Sequence, residues 1–131
     1  MEPLQLKSVM RISGLTQRQI WYLDTLRVCP PSLAPANGKG SCRQYTRRDA
    51  LGLKIAFGLR QLGLKIEIIR KVVEALQAEA APDDRLFRMT VLTDGNAVLF
   101  VEPRELPRVL TGVSRNFLVI PLPSLDWTQN D

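Results

Sequence analysis

The sequence predicts an α+β fold: a basic first part of four helices with a β-hairpin wing, followed by a small β-β-α-β unit. Three observations carry this. Residues 1–80 contain two Thr-led capping boxes and several apolar stripes at helical spacing. After Ala80-Ala81-Pro82-Asp83-Asp84 the apolar pattern switches to alternation. The charge changes sign at the same place. Residues 1–80 hold 13 Lys/Arg against 6 Asp/Glu, a net +7, whereas residues 81–131 hold 5 against 7, a net −2.

A chain of 131 residues can form one core or a domain with a small appendage. No apolar run reaches the roughly 18–20 residues of a membrane span, and the N-terminus lacks the basic and apolar regions of a secretion signal. Two cysteines, Cys29 and Cys42, and no histidine exclude a four-ligand Cys/His zinc site and His-based acid–base or triad chemistry. Neither paired carboxylates, nor a nucleophile with its base, nor a phosphate loop stands out. We therefore expect no enzyme, no metal and no cofactor, in a cytoplasmic protein with reduced cysteines. The basic first part suits a polyanion partner.

In chain order, Leu6, Val9, Met10 and Ile12 fit a first helix over about 5–12. Gly14 closes it and turns the chain. Thr16 with Gln19 forms a capping box that opens a second helix over 17–26. Its apolar face carries Ile20 and Leu23, and its other face Gln17, Arg18, Trp21 and Tyr22. Val28-Cys29 is β-prone, and Pro30-Pro31 stops it. Asn37-Gly38 and Lys39-Gly40 are turn chemistry, and Cys42-Arg43-Gln44-Tyr45 returns as a second strand, so residues 30–45 read as a basic wing or as a plain surface loop.

Thr46 with Asp49 caps a third helix bearing the stripe Leu51, Ile55, Leu59 and Leu62, ended by Gly63. Its internal Gly52 and Gly58 point to close packing. Ile66, Ile69, Val73 and Leu76 define a fourth helix ending near Glu79. Beyond the linker, Phe87, Met89 and Val91 alternate, as do Val98 and Phe100, around Asp94-Gly95, a type I′ hairpin signal. Pro103 opens a short helix to Leu110. Residues 116–120 form a third, largely buried strand, and the tail from Asp126 is frayed. A unit of this size must lean on the helical part or on another subunit.

A short helix, a glycine turn and a capped helix with a polar tip make a helix-turn-helix, whose second helix enters a DNA major groove. Residues 4–77 resemble the DNA-binding domain of the MerR family of transcription regulators. Ser13-Gly14-Leu15-Thr16 is similar to the family's T-G-V-S turn. Arg18-Gln19-Ile20-Trp21-Tyr22-Leu23-Asp24 is similar to R-T-I-R-Y-Y-E. Ser41-Cys42-Arg43-Gln44-Tyr45 is similar to G-Y-R-x-Y at the wing's end, Leu59 to Gly63 to L-R-x-L-G, and Leu64 to Arg70 to F-S-L-E-E-I-R. Trp21 departs from an arginine, Leu23 from an aromatic residue and Ser41-Cys42 from Gly-Tyr. The family's long dimer helix has no counterpart here.

The resemblance implies a sequence-specific regulator of transcription that binds double-stranded DNA, with RNA polymerase as a further candidate partner. The candidate contacts are Thr16, Gln17, Arg18, Gln19, Trp21, Tyr22, Lys39, Arg43, Tyr45, Arg47 and Lys65. Arg18 is positioned for guanine and Tyr22 for phosphate. Arg47, Arg48 and Lys65 begin helices and could meet phosphates there. Cys29 and Cys42 read as small apolar residues rather than sensor thiols. Two domains are expected, 1–80 for DNA and 85–131 for homodimerisation, its helix packed on its sheet. The alternative is an excisionase-like architectural or protein-interaction module with the same winged fold.

Overall fold

Two of the predicted helices begin at capping boxes that a computed structural model realises. The structure describes residues 3–29, 44–111 and 116–125. Helix α1 spans Leu6–Ser13 and ends on Gly14, whose φ of 75° lets its N–H return to the Met10 carbonyl. Helix α2 spans Gln17–Thr25 behind the Thr16 capping box. Helix α3 spans Arg47–Gln61 behind the Thr46–Asp49 box. Helix α4 spans Ile66–Ala78. Thr16 and Thr46 each contribute about 1 kcal/mol to the helix they cap.

The centre of the molecule is α3. Leu53, Ile55, Ala56 and Leu59 are buried on it, together with Ala50, Gly52 and Gly58. This is broader than the expected stripe, because α1, α2, α4 and the C-terminal unit all pack around it. Leu62 departs from expectation: it is 60% exposed, as the capping residue where the helix turns away. Gly52 is where α4 and the end of α2 approach closely. A Cβ there would lie 3.1 Å from Cys29 Sγ and under 4 Å from Leu76 and Val73. Ile69, Val72, Val73 and Leu76 form the buried face of α4.

The expected linker contains a helical turn, α5, at Asp83–Leu86. Phe87 caps that turn instead of joining a strand. The sheet consists of β1 (Thr90–Thr93), β2 (Val98–Val101) and β3 (Leu118–Pro121), in the order β2-β1-β3, antiparallel throughout. Because Thr93 pairs with Val98, the hairpin loop has four residues, not the two of a type I′ turn. Asp94 Oδ1 accepts the N–H groups of Asn96 and Ala97 and holds the loop.

Val91, Phe100 and Ile120 are in register and share the face turned to the helices. Leu86, Met89, Val91, Ile120, Leu122 and Leu125 join one core with α1 to α4. The unit therefore leans on its own helical part, as its size required. A 3₁₀ turn at Leu122–Leu125 seats its two leucines beside α3, with the Leu122 N–H on the Met89 carbonyl. Strand β3 is not largely buried: Ile120 alone is, while Leu118 and Val119 stay 45% and 42% exposed. Between β2 and β3 run a 3₁₀ turn at Pro103–Glu105 and helix α6 at Leu106–Thr111, with no buried residue in either. The tail from Asp126 lies outside the described residues.

The predicted wing is only partly in view. Val28 and Cys29 form a bend, not a strand, and residues 30–43 lie outside the described residues. Tyr45 does pair as a strand residue, but with Leu4: Leu4 N–H donates to Tyr45 O at 2.7 Å and Tyr45 N–H to Leu4 O at 2.8 Å.

Candidate nucleic-acid interface

Helix α2 is a two-faced element held at both ends. At its start, Thr16 Oγ1 accepts from Gln19 N at 3.1 Å, and Gln19 Oε1 accepts from Thr16 N at 2.9 Å. Upstream, the buried Ser13 hydroxyl accepts the Leu15 N–H at 3.2 Å and fixes the turn. Ile20 and Leu23 bury one face against the core. At its end, the Arg70 guanidinium of α4 donates twice to the Leu26 carbonyl, from Nε at 3.0 Å and Nη2 at 2.7 Å. A bidentate charged donor on a helix C-terminus satisfies an orphan carbonyl and its dipole together.

The outward face carries Thr16, Gln17, Arg18, Trp21 and Tyr22, all exposed. The two aromatic residues, 44% and 49% exposed, are large rings left in water on a rigid helix. Arg18 has no ion-pair or hydrogen-bond partner among the described residues. Gln19 is different: its side-chain oxygen is spent on the cap, which reduces it as a base reader.

The remaining candidates separate. Tyr45 is fully buried, so its ring belongs to the core and not to a contact surface. Arg47 is exposed at the first turn of α3 and sits 3.7 Å from Asp84. Lys65 is exposed at the N-cap of α4. Lys39 and Arg43 lie outside the described residues. Arg48, expected to meet phosphate, is turned inward. Its Nη1 donates to the carbonyls of Leu76 at 2.7 Å and Glu79 at 2.9 Å, its Nη2 to Ala81 at 2.7 Å, and its Nε to Asp83. This clamp and that of Arg70 were not foreseen as structural. Nothing local in sequence marks an arginine whose acceptors lie 28 to 44 residues away.

Below α2, Cys29 sits in a buried polar cluster. Its thiol donates to the Asp49 carbonyl, and Gln77 Nε2 reaches both Cys29 Sγ at 3.6 Å and Asp49 Oδ1 at 2.7 Å. Burial, then the nearby Asp49 charge, pushes the Cys29 thiol up to about 12. A thiol so placed stays protonated, which is a poor state for a metal ligand or redox nucleophile. Cys42 lies outside the described residues.

A capped helix pair with a glycine turn and an exposed polar second helix defines a helix-turn-helix domain. Residues 4–76 match the model of the MerR HTH family regulatory proteins, and the chain belongs to that family. It is 35% identical over 91 residues to uncharacterized HTH-type transcriptional regulators of Mycobacterium bovis and Mycobacterium tuberculosis. The match covers 70% of this chain and 40% of theirs, so the chain spans about two fifths of the length of the curated relatives it matches. Among the described residues no helix is long and apolar enough to cross a membrane.

Proposed function

We propose that the chain is a sequence-specific, DNA-binding regulator of transcription, and not an enzyme. Helix α2 lies in the major groove of duplex DNA, and residues 30–45 act as a wing on the flanking backbone. The observation that carries this reading is the outward face of α2: Gln17, Arg18, Trp21 and Tyr22 exposed on a helix fixed at both ends. A guanidinium on such a rigid element suits bidentate recognition of guanine. Lys39, Arg43, Arg47 and Lys65 supply the charge for phosphates. The names of the mycobacterial relatives support the same reading. The complete α3 and α4 favour it over an excisionase-like architectural module.

The chain acts as a homodimer joined through residues 85–131. Leu99 and Val119 flank Leu92 in register on the sheet face opposite the core, and both are over 40% exposed. Among the described residues the outer strands β2 and β3 each pair on one side only, and a second copy can cover the other edge.

The test is selection of duplexes from a random pool with the full chain, followed by salt-titrated fluorescence anisotropy. The expected result is a recovered motif bound with affinity that falls linearly with log salt. No duplex bound more tightly than about 10⁻⁴ M at low salt would refute the proposal.

A further inference from the structure

Four described residues adopt a left-handed backbone: Gly14, Gly63, Gly95 and Arg27. Three are glycines, for which this conformation has no steric cost. At Arg27, with φ of 56°, the Cβ crowds the following carbonyl. The surroundings leave it no choice. The Arg27 N–H donates to Asp24 O at 2.9 Å and the Val28 N–H to Leu23 O at 3.1 Å, the paired bonds of a Schellman turn. Val28 and Cys29 are buried immediately behind, and the Leu26 carbonyl is held by Arg70.

The fold thus asks for glycine at this position and holds an arginine. The side chain does not repay the strain inside the molecule. Arg27 is exposed, and its side chain has no hydrogen-bond or ion-pair partner among the described residues. Other arginines are spent internally: Arg48 and Arg70 on carbonyls, Arg47 on Asp84, Arg85 and Arg104 on Glu102, Arg108 on Glu105. Backbone strain retained for an uncommitted charged group marks a functional position. Arg27 also lies two residues beyond the end of α2, the helix proposed above to meet DNA.

We infer that Arg27 is a DNA-contacting residue that pairs with a backbone phosphate beside the groove occupied by α2. The inference rests on the DNA-binding reading. Its contact carries charge rather than sequence, so it strengthens binding to every duplex alike.

The experiment compares wild type with Arg27→Gly and Arg27→Lys in the full chain. Each protein is titrated with a labelled random-sequence 30-base-pair duplex across a salt series, and thermal unfolding is followed in parallel. Glycine removes the strain, so Arg27→Gly should melt about 2–5 °C higher than wild type. It should bind about three- to ten-fold more weakly, with the salt slope reduced by about one for each bound chain. Arg27→Lys should keep the slope. Arg27→Gly binding as tightly as wild type with an unchanged slope would overturn the inference. So would an Arg27→Gly protein that melts lower and binds less, because the arginine would then be structural. Wild type that binds no duplex would instead refute the DNA reading itself.

Discussion

Arg48 and Asp83 stand 35 residues apart and meet in the structure, Nε to Oδ1 at 2.5 Å, with both side chains mostly shielded from water. The same guanidinium also serves three carbonyls at the end of α4 and beyond it. One side chain thus closes α4, starts α5 and fastens the C-terminal unit to α3. Removing it leaves a shielded carboxylate and the carbonyls of Glu79 and Ala81 without this donor. Arg48→Ala should cost about 2–4 kcal/mol in urea unfolding of the full chain. Arg48→Lys should recover less than half, since an ammonium cannot match the planar fork.

The pH dependence of Cys29 has a definite sign. Its thiol titrates at about 12 in the folded protein against 9.0 for the ordinary group. The folded state prefers the protonated form, so this contribution is complete below pH 9 and is lost as pH rises from 9 toward 12. Urea midpoints measured at pH 8 and pH 10.5 should fall for wild type and fall less for Cys29→Ala. Iodoacetamide should leave Cys29 unmodified in the native protein and label it in urea, as mapped by mass spectrometry.

Gly52 and Cys29 are coupled by space. Alanine at 52 gains about 1 kcal/mol in helix propensity but sets a methyl 3.1 Å from the sulfur. The sulfur is held by Asp49 and Gln77 and has little room to yield. Gly52→Ala should destabilise wild type by about 1 kcal/mol and stabilise Cys29→Ala. Gains of equal size in both backgrounds would contradict the packing described.

What the sequence revealed was mostly local. The capping boxes at Thr16–Gln19 and Thr46–Asp49 depend on residues three apart, and both formed. Gly14 and the stripe Ile69, Val73 and Leu76 were legible for the same reason. What it hid depends on distant partners. Arg48 looked like a phosphate ligand because α4's end cannot be seen from the start of α3. Tyr45 looked like a surface residue of the wing, yet it fills the core and pairs with Leu4. Leu118 and Val119 looked buried because an apolar run does not say how many faces are covered. At the site, the exposed residues of α2 followed from its apolar spacing. The strained Arg27 did not, since φ is set by the turn that Val28 completes.

The dimer proposal makes a prediction at β3. Val119→Lys puts a charge on the exposed sheet face without touching the helical core. Sedimentation of the full chain at tens of micromolar should show a dimer for wild type and a monomer for the variant, both melting at similar temperature. Wild type that stays monomeric at that concentration would exclude the dimer.

The most direct test of the account is discrimination by Arg18. Because the side chain is exposed and has no partner among the described residues, Arg18→Ala should fold and melt like wild type. Competition binding should then compare the selected duplex with random duplex for both proteins. The account predicts that Arg18→Ala loses about 5- to 150-fold of the discrimination, equivalent to 1–3 kcal/mol, while random-duplex binding falls much less. An Arg18→Ala protein that discriminates as well as wild type would contradict the assignment of α2 as the reading helix.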